Sequence, residues 1–157
     1  MAKQVVESSA HSSAPRETVW AVVADLKGWK DWGPWELSDV EQQGSPDANG
    51  VGAVRVMRGA ERRMGSKPTM REQVNVFERP ARFGYTLLSG IPLKDYQATI
   101  TLTEAGEGTD IVFRLEFAGK VPGVAALALP VLREVGADAT ERLAREAERR
   151  ASTGGTG

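Results

Sequence analysis

Apolar and polar positions alternate through the middle of the chain and recur at helical spacing towards its ends. Residues 3–13 read as a strand, with Val6, Ser8, Ala10 and Ser12 on one face and Val5, Glu7, Ser9 and His11 on the other. Val19, Trp20, Val22, Val23 and Leu26 then form an apolar stripe spaced for a helix. Ser13 suits its cap, Pro15 its first turn and Gly28 its end. Residues 27–32 accommodate a second, very short helix before Gly33-Pro34 breaks it. Six strands are predicted next, over residues 36–43, 52–58, 69–78, 83–89, 95–103 and 109–118. Their short loops carry Gly, Pro, Asn and Asp, which implies sequential antiparallel hairpins. From about residue 121 the chain turns into one long helix, apolar in its first half and charged in its second, with Pro130 and Gly136 as points of kinking.

The order strand, two short helices, six strands, long helix predicts an α+β fold. A curved antiparallel sheet needs one face covered, and only the terminal helix is long enough to lie across it. The short helices then close one end. A seven-stranded sheet curled around a single helix need not fill its interior, so a cavity between them is expected. The chain is predicted to be one domain over residues 1–151, followed by a flexible tail over residues 152–157, "STGGTG".

Composition narrows the chemistry. With 20 basic and 21 acidic residues the net charge is −1, so no global field draws nucleic acid or an anionic membrane. Arg62-Arg63 is only locally basic. The longest apolar run, residues 121–132, is interrupted by two prolines and a glycine and is too short to span a bilayer. The N-terminus lacks the apolar stretch of a secretion signal. Together with the absence of cysteine, this leads to the expectation of a cytoplasmic protein without integral membrane association. A single histidine, His11, excludes a multi-histidine metal cluster. The glycine pairs of "GVGA" and "AGEGT" sit in predicted hairpins rather than before helices, so no nucleotide cofactor and no metal are expected.

A strand followed by "APRETVWAVVADLKGWKDWGPW", then "GVGAVR", "REQVNVFERPARFGYTLLSG", "LKDYQATITLTEAGEGTDIVFRLEF" and "KVPG" before a last helix resembles the START-like, helix-grip (SRPBCC) superfamily, in its polyketide cyclase/dehydrase and lipid-transport branch. The resemblance covers roughly residues 3 to 150 and lies in the order and spacing of the segments. It implies a deep hydrophobic cavity between sheet and helix. It does not imply a reaction, because the superfamily includes carriers, receptors and aromatase/cyclases.

Candidate site residues follow from strand parity and from the rings. Three of the four tryptophans fall in "GWKDWGPW". Trp20 reads as core. Trp32 and Trp35 suit the rim of a cavity, where an indole finds both apolar cover and a partner for its N–H; Trp29 suits it less. Met70, Glu72, Val74 and Val76 share the more apolar face of their strand, which carries Glu72 inward. Periodicity leaves the orientation of Arg55 open, and the related pattern "GxGxxR" implies that it points inward. Arg55 and Glu72 then pair, either as an ion pair that holds register or as a polar site. Tyr85 and Tyr96 present phenols from apolar faces, and Met57, Met70 and Met64 are adaptable linings. Leu127 and Val131 of the terminal helix are expected opposite Trp32 and Trp35. His11 falls on the outer face. Small Ser8, Ala10 and Ser12 leave room beside the first strand. The favoured reading is binding or carriage of a hydrophobic small molecule, polyketide- or lipid-like. A polyketide aromatase/cyclase or dehydratase using Arg55, Glu72 and a tyrosine is the first alternative. A protein-interaction module of the antitoxin-like kind, docking through the apolar start of the last helix, is the second.

Overall fold

The structure, a computed structural model, describes residues 3–60 and 67–154. Arg62-Arg63 and Met64 lie outside the described residues. In chain order the elements are β1 (Gln4–Ser12), α1 (Arg16–Ala24), a 3-10 turn (Leu26–Gly28), α2 (Trp29–Trp32), β2 (Trp35–Gln42), β3 (Val54–Gly59), β4 (Thr69–Glu78), β5 (Arg82–Ser89), β6 (Leu93–Ala105), β7 (Gly108–Gly119) and α3 (Val124–Gly154). All seven strands form one antiparallel sheet in the order β1-β7-β6-β5-β4-β3-β2. This is the expected helix-grip arrangement: β2 to β7 follow one another as hairpin neighbours, while β1 crosses over to pair with β7. The long helix lies against the inner face.

Local chemistry differs from the sequence reading in four places. Ser13 does not cap α1. The residue before the helix is Pro15, which has no side chain able to cap, and the Ser13 amide donates to Glu148 Oε2 of α3 at 2.9 Å. Nor does Gly28 terminate α1, which ends at Ala24; Gly28 closes the 3-10 turn, and its N–H is held by the Asp25 side chain. In β4 a register shift between Val74 and Val76 inverts the parity downstream. Phe77, not Val76, then faces the interior, with its ring 5.0 Å from that of Trp20. Finally, α3 continues through Ser152 and Thr153, which the sequence reading assigned to a flexible tail; both hydroxyls donate to the Arg149 carbonyl.

The second half of α3 is the half that is fastened. Leu143, Ala144 and Ala147 are buried, and the Ser12 hydroxyl donates to the Ala144 carbonyl at 2.8 Å. Helix and sheet meet closely where Gly136 faces Phe113 and Ser8: a Cβ on Gly136 would lie 3.0 Å from the Phe113 ring. The small residues of β1 therefore admit the helix rather than leaving open volume. The first half of α3 is less covered than the sequence led one to expect. Val124, Ala125, Ala128 and Leu129 are partly buried against the core, whereas Val121, just before the helix, and Leu127 are exposed.

Candidate functional site

Gly33 sets the geometry of the tryptophan cluster. A Cβ at this position would sit 2.2 Å from ring atoms of Trp35, so only glycine lets that indole fold back onto α2. Trp29, Trp32 and Trp35 then pack against one another in tilted and edge-to-face contacts, with centroid separations of 5.0 to 6.0 Å. Trp29 is pinned by its indole N–H, which donates to the Val23 carbonyl at 2.9 Å. The Ser38 hydroxyl donates to the Leu26 carbonyl and fastens the 3-10 turn to β2. Trp32 is buried, yet its Nε1 has no hydrogen-bond partner among the described residues.

These rings form one wall of a cavity between sheet and α3. Its volume is about 60 Å3. Trp29, Trp32 and Trp35 meet Met57, Met70, Glu72, Tyr85 and Tyr96 from the sheet. Ile100, Ile111, Phe113 and Leu115 extend the sheet wall, and Leu132, Val135, Gly136, Ala139, Thr140 and Leu143 close it from the helix. Apart from Glu72, the two phenols, the Thr140 hydroxyl and the Trp32 N–H, the lining side chains are almost wholly apolar.

Arg55 and Glu72 sit directly opposite each other on β3 and β4. Arg55 Nε donates to Glu72 Oε1 at 3.0 Å, with Arg55 wholly buried and Glu72 2% exposed. The guanidinium is sandwiched, its centre 3.9 Å from the Trp29 ring and 4.3 Å from that of Tyr85. Its Nη1 and Nη2 have no hydrogen-bond partner among the described residues. Arg55 thus lies behind the cavity wall, while its partner Glu72 forms part of that wall. Burial raises the Glu72 carboxyl above the ordinary carboxylate range, and the Arg55 charge opposes that shift. Burial, with the Glu72 charge nearby, also raises both phenols, so Tyr85 and Tyr96 remain protonated donors at neutral pH.

Of the residues singled out from the sequence, the structure brings Trp32, Trp35, Met57, Met70, Glu72, Tyr85 and Tyr96 to this cavity, with Arg55 immediately behind. Leu127 and Val131 are misplaced: Leu127 is 61% exposed, and neither lines the cavity. The reason is helical phase. At about 100° per residue, Leu132, Gly136, Ala139 and Leu143 fall on one stripe, with Leu127 roughly opposite it. That stripe was legible in the spacing but lay beyond the apolar half of the helix. Trp29, which seemed the least suited of the three rings, lines the cavity and covers the cation. His11 is on the outer face, its Nδ1 2.8 Å from Asp110 Oδ1. Among the described residues, no three His, Cys, Asp or Glu side chains come together as a metal site. None of the described helices is long and apolar enough to cross a membrane.

The same architecture occurs in solved structures of low sequence identity. The Zhui aromatase/cyclase from Streptomyces sp. R1128 superimposes with a TM-score of 0.82 at 21% identity, over 98% of this chain and 99% of that one. A START superfamily protein from Mycobacterium smegmatis gives 0.71 at 15% identity, over 95% and 97%. Norcoclaurine synthase from Thalictrum flavum gives 0.71 at 15% identity, over 92% and 86%. At such identities the likeness is one of fold. No curated protein matches the sequence. The sequence pattern of the polyketide cyclase/dehydrase and lipid transport family does match, over residues 3–148, and by that match the chain belongs to this family.

Proposed function

We propose that the protein binds a hydrophobic small molecule, polyketide- or lipid-like, in the cavity between sheet and α3. The observation that carries this reading is the cavity wall itself: mostly aromatic and aliphatic side chains from sheet and helix, with a few polar groups, Glu72, the two phenols and Thr140, among them. A core evolved only for packing would close such a space, since voids in protein interiors are destabilising. Membership in a family described by polyketide chemistry and lipid transport supports the same class of ligand. Native mass spectrometry of the protein as purified, together with titration of a small apolar fluorophore, tests it. A retained apolar molecule, or saturable one-to-one probe binding that quenches tryptophan emission, is expected. Absence of both refutes the reading.

A cyclisation or dehydration of a polyketone is the second reading. It is favoured by one feature, a carboxyl on the cavity wall whose protonation is eased by burial, beside two protonated phenols. The fold shared with an aromatase/cyclase is compatible with it. Turnover of a poly-β-ketone analogue that is lost in Glu72→Gln, with binding retained, distinguishes catalysis from carriage.

A further inference from the structure

We propose that the end of the fold from which α3 starts docks on an anionic lipid surface, with Val121 and Leu127 entering the interface and unpaired lysines around them. The proposal concerns the outside of the molecule and is independent of the cavity reading. Antiparallel pairing brings the beginnings of β1, β2 and β6 and the ends of β5 and β7 to this end, beside the start of α3. The Lys120 amide donates to the Pro92 carbonyl at 3.0 Å and ties the segment before α3 to the β5–β6 hairpin. Leu88, Val121 and Leu127 on these segments are 42%, 54% and 61% exposed. Residues 121–132 carry no charged side chain, so nothing polar shields them. Large apolar side chains left open together mark a contact surface.

Charge decides what that surface meets. The net charge of −1 conceals a sorting of unpaired ions. Among the described residues, the basic side chains without an ion pair are Lys3, Lys30, Lys94, Lys120 and Arg133. The four lysines all belong to this end: Lys3 precedes β1, Lys30 lies in α2 ahead of β2, Lys94 begins β6 and Lys120 follows β7. Arg133 is exposed on the first half of α3. Asp31, Asp95 and Glu134 offset part of this charge. At the opposite end the sign reverses, and the turn residues Asp47 and Glu107 are carboxylates without an ion pair among the described residues. Lysines on flexible stems meet the diffuse charge of headgroups without fixed acceptor geometry. Apolar side chains on a hairpin, a loop and a first helical turn can each enter between headgroups, which suits a lipid interface better than the continuous face a protein partner needs. Such docking is peripheral, since no described helix is long and apolar enough to cross a membrane.

Vesicle flotation tests it, with phosphatidylcholine alone and with a phosphatidylcholine–phosphatidylglycerol mixture. The wild type should float with the mixed vesicles, stay in solution with phosphatidylcholine alone, and be released by high salt. Lys94→Gln/Lys120→Gln should lower affinity for the mixed vesicles about thirtyfold, at about fivefold for each lysine near the surface. Leu127→Ser should lower it at least about fivefold. Arg142→Gln/Arg145→Gln makes the same change of net charge on the far, fastened half of α3 and should alter it by no more than about twofold. All five side chains are exposed, so the variants should melt with the wild type. A wild type that stays in solution with the mixed vesicles overturns the proposal. So does equal binding to phosphatidylcholine alone, or an equal loss in the Arg142 and Arg145 control. A dimer that forms without vesicles and that Leu127→Ser dissociates in sedimentation also overturns it, because a second copy then covers the patch.

Discussion

Glu72→Leu leaves a buried cation without its counter-charge, and the predicted consequence is large. In the folded protein Arg55 has no exposed surface, and its single hydrogen bond to a described residue goes to Glu72 Oε1 at 3.0 Å. The faces of Trp29 and Tyr85, at 3.9 and 4.3 Å, soften the burial but supply no acceptor in the guanidinium plane. Breaking a buried pair from one side costs about 3–5 kcal/mol, because the remaining charge cannot return to water without unfolding. For a domain of this size each kcal/mol lowers Tm by about 2–4 °C, so a drop of roughly 6–20 °C is expected. Arg55→Met should be milder, since a protonated Glu72 is neutral and burial already favours that form. The double variant Arg55→Met/Glu72→Leu removes both charges and should recover most of the loss, to within about 1–2 kcal/mol of wild type or above it. Guanidinium unfolding followed by far-UV circular dichroism, with matched slopes, measures all four proteins. Were the double variant to lose as much as the two single variants summed, the two side chains would be energetically independent, and their description as a compensated pair would be wrong.

Two further outcomes follow from burial and phase. Tyr85 and Tyr96 are the chain's only tyrosines, and burial holds both phenols protonated well above their ordinary range. The unfolded chain ionises its tyrosines near pH 10, so stability from these groups is intact below about pH 10 and is lost as pH rises above it. Absorbance at 295 nm should stay flat through that range and rise only with cooperative alkaline unfolding; a gradual phenolate signal in the folded protein would show that the rings are solvated. On α3, Leu127→Ser should change stability by no more than about 0.5 kcal/mol, whereas Leu143→Ala should cost about 2–5 kcal/mol. Comparable losses in a denaturant titration would contradict the phase of the helix on the sheet.

Strand parity and turn chemistry carried most of the fold in the sequence. Period-two alternation sets which face of each strand is buried, and short polar loops can only join antiparallel neighbours. Glu72 was legible for that reason, whereas parity left Arg55 open and only the resemblance implied that it points inward; the register of β3 on β4 sets the two opposite each other. Wherever an element deviates by one residue, the pattern alone misleads. The shift in β4 turns Phe77 inward in place of Val76, and it depends on pairing with β5, which no local window contains. The cavity lining of α3 was decided by tertiary structure as well. The apolar half of the helix drew attention to Leu127 and Val131, yet the docking of Leu143, Ala144 and Ala147 onto β1 and α1 fixes the rotation of the whole helix. That rotation sends Leu127 to solvent and brings Leu132, Gly136 and Ala139 over the sheet. The tryptophans divide along the same line. Composition announced a cluster in "GWKDWGPW", and the Val23 carbonyl that pins Trp29 is local, but that Trp29 covers a cation depends on Arg55 and Tyr85, far away in sequence, meeting it in space. Hydrophobic pattern determines what must be buried, and only packing determines what each buried group touches.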